Sequence, residues 1–244
     1  MDGPFAEPTN TREAILGAAF RALRKHGYAS VTIQRIGDEF DKSPSLVYHH
    51  YDGKDALLID LMGFLLDEFE ATIAEGGGPD ATSDDGGEVS SEEPFTRSAR
   101  DQLDTYLTAA VDPASLDGTY APDAQFVTVM TELRSQAAND EAYREHFDRS
   151  DRVFGEYLER LVREAAAEVS EEDVVGVSPD DPSGTAPDAV EADEVAATLQ
   201  TFATGGMFRW ATTNDEAWVA DSRAGIDRYL AAMLPLVKTG GSEQ

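Results

Sequence analysis

Apolar residues recur along most of this chain at intervals of three and four, which is the spacing of one face of an α-helix. The first run covers residues 11–26, where Ile15, Ala19 and Leu23 share a stripe and Gly27 follows as a helix stop signal. Alternation of apolar and polar positions, the mark of a strand, is almost absent. The pattern therefore predicts an all-α protein.

Capping residues place the next three helices. Thr32 is the expected N-cap of a short second helix, and Ser43, followed by Pro44 in the first helical position, caps a third. A fourth helix opens near Asp52, with Asp55 three residues later. The remaining helices are predicted at roughly 95–111, 123–138, 141–168, 190–213 and 215–237.

Two segments break this periodicity, residues 75–94 and 170–190. Both are rich in Gly, Pro, Ser and Asp, and neither contains Lys or Arg. Such a composition predicts solvated acidic loops, to which we assign no chemistry.

Charge is distributed unevenly along the chain. The formal net charge is −29, yet residues 1–62 contain seven Lys or Arg against nine Asp or Glu, so residues 63–244 hold nearly all of the excess. An acidic balance alone argues against nucleic acid as a partner, because phosphates repel carboxylates. The N-terminal quarter of the chain is close to neutral. Pervasive acid with few lysines is typical of halophilic proteins, and acidic disorder is the alternative explanation for the loops.

Several classes of protein are disfavoured by what the sequence lacks. It has no cysteine, and therefore no disulfide and no thiolate catalysis. It shows no run of about 18 apolar residues and no signal peptide, so we expect a cytoplasmic protein without membrane contact. No catalytic motif or metal-ligand spacing occurs, and the adjacent His49 and His50 point about 100° apart on a helix. We expect neither an enzyme nor a metal or other cofactor.

Helices 2 and 3 are short and separated by about three residues, which is the spacing of a helix-turn-helix. Helical periodicity turns Val47 and Tyr51 inward. The opposite face carries Ser45, Tyr48 and His49. A helix with hydroxyl and imidazole groups on its outer face can enter a major groove about 12 Å wide and bind phosphates or base edges.

Lys54 lies in the first turn of the predicted fourth helix, where the helix dipole disfavours a cation by roughly 0.3–1 kcal/mol. A lysine beside free backbone N–H groups is explained if a phosphate binds there. The alternative is an exposed lysine that is merely tolerated. Combined with the capped helix before it, the position favours a phosphate contact. For His50 the sequence leaves two roles open, packing and a phosphate contact.

The N-terminal quarter resembles the DNA-binding domain of the TetR/AcrR family of repressors. The resemblance covers about residues 10–62 and rests on the runs TREAILGAAFRALRKHGYASVT and TIQRIGDEFDKSPSLVYHHYDGKDALLIDL. It implies a transcriptional regulator whose expected DNA contacts are Thr32, Lys42, Ser43, Ser45, Tyr48, His49 and Lys54. The chain departs from the family where Asp41 and Lys42 replace a glycine and an apolar residue and Leu46 replaces a threonine, which leaves the operator sequence open.

We therefore predict an N-terminal helix-turn-helix DNA-binding domain over residues 1–54 and a helical regulatory and dimerisation domain over residues 55–244. One such domain reads a single half-site, so a homodimer on a palindromic operator is expected. Gly205 and Gly206 would allow close helix contact in the interface. Two apolar stripes on the last helices are its expected core, with intramolecular packing as the alternative: Val195, Leu199, Phe202, Ile226, Tyr229, Leu230 and Met233.

The middle helices are expected to enclose a pocket for a lipophilic or aromatic effector of unknown identity. The candidate lining is Phe126, Met130, Leu133, Phe154, Tyr157, Leu161, Phe208 and Trp210. Glu132, Arg134 and Tyr143 could add polar contacts. An effector that prefers one arrangement of this core would change the spacing of two recognition helices, with helix 4 as the moving lever. The expected function is a ligand-responsive repressor; the alternative is a helix-turn-helix protein-interaction module that binds no operator.

Overall fold

The computed structural model describes residue 5 and residues 7–40, 45–74, 98–116, 124–169 and 189–237. These ranges form nine α-helices, and within them β pairing is limited to an isolated parallel bridge between Val190 and Val237. The all-α prediction is confirmed. The predicted acidic loop at 75–94, and the second one as far as residue 188, lie outside the described residues. The helices are α1 Thr11–His26, α2 Ile33–Asp38, α3 Ser45–His50, α4 Lys54–Ala74, α5 Ala99–Val111, α6 Ala124–Gln136, α7 Glu141–Glu168, α8 Ala192–Thr212 and α9 Ala217–Met233.

The chain divides into two compact units. The first comprises residues 1–94 and 113–151, and the second comprises residues 95–112 and 152–244. The first unit thus contains α6 and the beginning of α7 as well as the helix-turn-helix. The predicted boundary between residues 54 and 55 stays a prediction.

Capping explains where α1 begins and ends. The side chain of Asn10 accepts a hydrogen bond from the Glu13 backbone N–H at 3.0 Å, and the Glu13 carboxylate accepts the Thr9 N–H at 2.7 Å. This reciprocal pair satisfies N–H groups that the first turn leaves without helical partners. At the other end, Gly27 adopts a φ of +69°, in the left-handed region that glycine tolerates best.

One buried cluster makes up the core of the first unit. It joins α1–α4 to one side of α6 and to the first turns of α7. Because α6 and α7 share this core, α1–α4 pack against later parts of the chain as well as against each other. The cluster includes Leu16, Leu23, Ile36, Val47, Leu57 and Leu61 from the first four helices, and Val129, Leu133, Tyr143 and Phe147 from α6 and α7.

Phe5 anchors the N-terminal segment on the same core. Its ring stacks on Phe64 of α4 with centroids 5.1 Å apart and lies 5.5 Å from the ring of Phe20 on α1. Gly17 makes this approach possible, since a Cβ atom at that position would lie 2.9 Å from the Cβ of Phe5. A half-open cavity of about 450 Å³ lies beside Phe5 and extends to Phe40.

Close contact between α5 and α8 builds the core of the second unit. Leu103 and Leu107 of α5 and Leu199 of α8 are buried there. Gly206 lets the two helices approach, because a Cβ atom on it would lie 2.5 Å from Cγ1 of Val111. Gly206 was expected to allow close helix contact in the dimer interface, and in the structure it allows close contact between α5 and α8 of the same subunit.

Candidate DNA-binding surface

The first part of the candidate surface is the start of α2. Thr32 has an extended backbone and its hydroxyl oxygen accepts the Arg35 backbone N–H at 3.2 Å, so it is the N-cap that the sequence predicts. Thr32 is exposed, and its hydroxyl hydrogen remains able to donate to a phosphate. Arg35 donates to the backbone oxygen of Ser30 at 2.5 Å, which ties α2 to the preceding loop.

The two faces of α3 have opposite environments. Val47 has no solvent exposure, whereas Tyr48 is 63% exposed. His49 and His50 are also exposed, so the outer face offers a phenol hydroxyl and two imidazoles to solvent. Leu46 is half-buried against the core, which favours packing over an exposed base contact for this residue. The division between the faces is the one that helical periodicity predicts.

Tyr51 fixes the end of α3 through a partly buried hydrogen bond. Its hydroxyl donates to Asp60 of α4 at 2.6 Å, and the same carboxylate accepts two bonds from Arg12 of α1, at 2.9 and 2.6 Å. Burial works against a charged Asp60, but the bonds from Arg12 and Tyr51 outweigh it and lower the pKa of this carboxyl group. The network ties α3 to α1 and α4, and no local sequence pattern predicts it.

Lys54 has neighbours that sequence reasoning missed. Its ammonium group donates to the backbone oxygen of Tyr28 at 3.2 Å and lies 4.1 Å from the centroid of the Tyr28 ring. The Tyr28 hydroxyl in turn donates to Asp55 at 3.0 Å. Burial, followed by the bond to Asp55, raises the pKa of Tyr28. A phosphate contact by Lys54 stays a prediction, and an ammonium group with three donors can make it while keeping the bond to Tyr28.

Two expected contacts, Lys42 and Ser43, lie outside the described residues. Ser45 is exposed at the first position of α3. The structure describes the other five predicted DNA contacts. Thr32 is the N-cap of α2, Ser45, Tyr48 and His49 lie on α3, and Lys54 begins α4. Their role in binding stays a prediction.

The three polar residues proposed for an effector pocket form hydrogen bonds within the first unit. Glu132 accepts the Tyr28 backbone N–H at 2.6 Å, and the Tyr143 hydroxyl donates to Asp55 at 3.0 Å. Arg134 forms two bonds with Asp151, at 2.9 and 2.5 Å. These contacts connect α6 with the loop between α1 and α2, α7 with α4, and α6 with α7.

The apolar residues proposed for the pocket fall into the two different units. In the first unit, Leu133 is buried in the helix-turn-helix core, and the ring of Phe126 lies 6.3 Å from that of Phe20. Met130 is half-buried against the same core. In the second unit, Phe154 and Tyr157 are in ring contact with Tyr106, Leu161 is buried, Trp210 is half-buried and Phe208 is 62% exposed. Pocket membership stays a prediction.

The residues proposed for the dimer interface differ in accessibility. Four of them are buried within the second unit, namely Val195, Leu199, Ile226 and Leu230. Three remain accessible: Phe202, Tyr229 and Met233. A Cβ atom added to Gly205 would meet no side chain or neighbouring helix of the described residues within 4 Å, so this position faces away from its own unit.

Neither a metal site nor a membrane span is found in the part of the chain that the structure describes. Within it, no three His, Asp or Glu side chains lie together in a group that could hold a metal ion. None of the helices there is both long and apolar enough to cross a membrane.

The short helices α2 and α3, packed on α1 and followed by α4, have the arrangement of a helix-turn-helix DNA-binding domain. Comparison with known proteins agrees. Residues 15–61 match the sequence profile of "Bacterial regulatory proteins, tetR family". The HTH-type transcriptional repressor AcnR of Corynebacterium efficiens is 31% identical over 71 residues, which are 29% of this chain and 38% of the repressor. The match thus spans well under half of that relative's length.

Solved structures are similar over most of the chain. A TetR transcription regulator from Haloarcula marismortui is 27% identical, with a TM-score of 0.61 over 91% of this chain and 97% of that one. A regulator from Saccharomonospora viridis, solved in complex with choline, is 18% identical with a TM-score of 0.59 over 91% and 96% of the two chains, and shows a likeness of fold alone.

The resemblance to the TetR family that was drawn from residues 10–62 is confirmed, and the family profile matches residues 15–61 of the chain. The relatives reported above are transcriptional regulators, which is the class of protein that the resemblance implies.

Proposed function

We propose that this protein binds double-stranded operator DNA in the cytoplasm as a homodimer and represses transcription in response to a small-molecule effector. The observation that carries the proposal is the two-sided environment of α3, with Val47 sealed in the core and Tyr48 open to solvent. A helix held in this way presents Tyr48 and His49 to a major groove without loss of its own packing.

Operator binding is tested with DNA from upstream of the protein's own gene, in a footprint and a gel shift at several salt concentrations. Tyr48→Ala is expected to weaken binding about 5- to 150-fold, as for the loss of a base-edge contact worth about 1–3 kcal/mol. Because Tyr48 is exposed, the same substitution is expected to change the free energy of unfolding by no more than about 0.5 kcal/mol. Unchanged affinity would remove Tyr48 from the DNA contacts.

The acidic balance of the chain favours one alternative function. A net charge of −29 repels the phosphate backbone, which suits a protein-interaction module better than a DNA-binding one. The footprint experiment distinguishes the two functions, because a module that binds only protein protects no upstream DNA segment at any salt concentration. A protected palindrome, by contrast, supports the regulator.

The dimer is proposed to form through the accessible faces of α8 and α9. On α8 this face carries Phe202, Gly205 and Phe208. On α9 it carries small side chains at helical spacing, which let a second helix approach closely: Ala217, Ala220, Ala224 and Ala231. Phe202 and Tyr229 are in edge-to-face contact, with centroids 5.4 Å apart, and join α8 to α9 within the subunit.

Gly205→Arg tests the dimer. The subunit has open space at Gly205, so the substitution is tolerated by the monomer, whereas in the proposed interface it introduces a buried charge and a large side chain. Ala167→Arg, at an exposed position of α7, is the control. Sedimentation is expected to show a monomer for Gly205→Arg and a dimer for Ala167→Arg. A dimer in both variants would place the interface elsewhere.

The effector is proposed to be lipophilic or aromatic and to bind among the helices that follow the helix-turn-helix. The ring of Tyr106, which is in contact with the rings of Phe154 and Tyr157, supports this choice. A compound at about 100 times its Kd adds about 2.7 kcal/mol to stability, which raises Tm by about 5–10 °C. An effector must also change operator affinity, since coupling between two sites is reciprocal. A compound that raises Tm and leaves operator affinity unchanged is not the effector.

A further inference from the structure

The loop between α1 and α2 is held by charged side chains from distant helices. Tyr28, the residue after the left-handed Gly27, uses its backbone N–H to donate to Glu132 of α6 at 2.6 Å. Its backbone oxygen accepts from Lys54 of α4 at 3.2 Å. The two backbone groups of one residue are thus bound by a carboxylate and an ammonium group.

The side chain of Tyr28 is fixed as firmly as its backbone. Its hydroxyl and that of Tyr143 both donate to the same oxygen of Asp55, each at 3.0 Å. The rings of Tyr28 and Tyr143 meet edge to face at 89°, and Tyr143 is only 1% exposed. The ammonium group of Lys54 lies over the Tyr28 ring, 4.1 Å from its centroid. Tyr28 therefore has a single well-defined position from which it orients Lys54.

An oriented lysine binds phosphate better than a free one. A free lysine side chain loses rotamer freedom when it binds, and pre-organisation removes part of that cost. The bond to the Tyr28 oxygen uses one of the three ammonium donors and leaves the others for a phosphate oxygen. The bond between the Glu132 carboxylate and the Tyr28 N–H is charge-assisted and hence stronger than a neutral one.

We propose that Glu132 is a positioning residue for operator binding, which acts through Tyr28 on the ammonium group of Lys54. The inference rests on the proposed function and deepens it, because it places control of one phosphate contact on α6, 104 residues away from Tyr28 in the sequence. A displacement of α6 removes the carboxylate from the Tyr28 N–H and leaves Lys54 less well oriented.

A double-mutant cycle on Glu132 and Lys54 tests this. Binding of the upstream DNA duplex is measured over a range of salt for the unsubstituted protein, Glu132→Ala, Lys54→Met and the double variant. Lys54→Met is expected to lower affinity about tenfold and to reduce the salt slope by about one for each subunit. Glu132→Ala is expected to lower affinity about three- to tenfold when Lys54 is present and less than about twofold when it is absent.

Matched variants separate positioning from charge and from folding. Glu145→Ala removes a carboxylate from an exposed position of α7, and it is expected to leave affinity unchanged or slightly raised in both backgrounds. Loss of a carboxylate from this acidic chain favours DNA binding by itself, so a weaker complex for Glu132→Ala cannot come from charge. Should Glu132→Ala unfold, Glu132→Gln carries the test: its amide oxygen still accepts the Tyr28 N–H, and about a two- to threefold loss is expected only with Lys54 present.

The outcomes are distinguishable. If the unsubstituted protein binds no operator, the proposed function fails and the inference fails with it. If Lys54→Met weakens binding but Glu132→Ala has no effect, or the same effect in both backgrounds, only the inference is overturned. The inference is supported if Glu132→Ala weakens binding only when Lys54 is present and also reduces the salt dependence of the affinity.

Discussion

Gly206 is the position where the packing of α5 on α8 can be tested most directly. In Gly206→Ala the new Cβ would lie 2.5 Å from Cγ1 of Val111 and 3.1 Å from the backbone oxygen of Ala110. Carbon atoms in contact are normally about 3.5–4.0 Å apart, so the helices must separate or Val111 must move. Val111 is buried and the Ala110 oxygen is part of the backbone, which leaves little room for either change.

The size of the effect follows from two opposing contributions. Overpacking of a core costs about 1–3 kcal/mol, and replacement of glycine by alanine inside a helix contributes up to about 1 kcal/mol in the other direction. Because a backbone atom is involved, we expect the upper part of the range and a net loss of about 1–2 kcal/mol. For a chain of this length, that corresponds to a Tm lower by about 2–8 °C.

Gly63→Ala is the control, since Gly63 lies inside α4, which is not a helix of the proposed dimer face, and a Cβ atom there would meet no side chain or neighbouring helix of the described residues within 4 Å. It is expected to raise stability by up to about 1 kcal/mol. Calorimetry and urea unfolding measure both variants, and Val111→Ala combined with Gly206→Ala is expected to be less unstable than the sum of the single changes. Equal shifts for the two glycine variants would refute the close approach of α5 and α8.

Three further predictions concern stability and salt. Burial, and then the charge of Arg149, lower the pKa of His146 below its usual 6.5 in the folded protein. As the pH falls, the unfolded chain therefore binds a proton at this residue before the folded chain does. The contribution of His146 to the free energy of unfolding is fully present above pH 6.5 and is lost as the pH falls through the folded-state pKa. His146→Gln is expected to flatten the decline of the urea midpoint between about pH 6.5 and pH 5, and an unaltered profile would contradict this. Phe5→Ala is expected to lower the free energy of unfolding by about 3–5 kcal/mol, measured by urea unfolding, because its ring fills the space against Phe64; a loss under about 1 kcal/mol would show that the N-terminal segment is not anchored there. Raising KCl from about 0.1 M to about 1 M is expected to raise Tm by screening a net charge of −29, and a lower Tm in salt would argue against self-repulsion.

Local signals predicted the helix-turn-helix well. α1 has the predicted bounds, Thr32 caps α2, and Val47 and Tyr48 occupy opposite faces of α3. Capping and helical periodicity depend on residues no more than about four positions apart, so the sequence is sufficient for them.

The environment of Lys54 was beyond such reasoning. A helix-dipole argument singled out the residue, but its contact with Tyr28 and the bond from Tyr28 to Glu132 join segments that no local pattern relates. The same holds for the hydrogen bonds of Glu132 with the loop between α1 and α2 and of Tyr143 with α4, which no local pattern predicts.

Gly205 and Gly206 are neighbours of the same type, yet one faces open space and the other lies against α5. An apolar stripe likewise has the same spacing whether it meets its own subunit or a partner, and only the fold buries Val195 and Leu199 internally. The sequence by itself determined the helices, their caps and the two faces of α3, because these depend on near neighbours along the chain. The tertiary structure alone decided which distant side chains meet, because that depends on how whole helices pack.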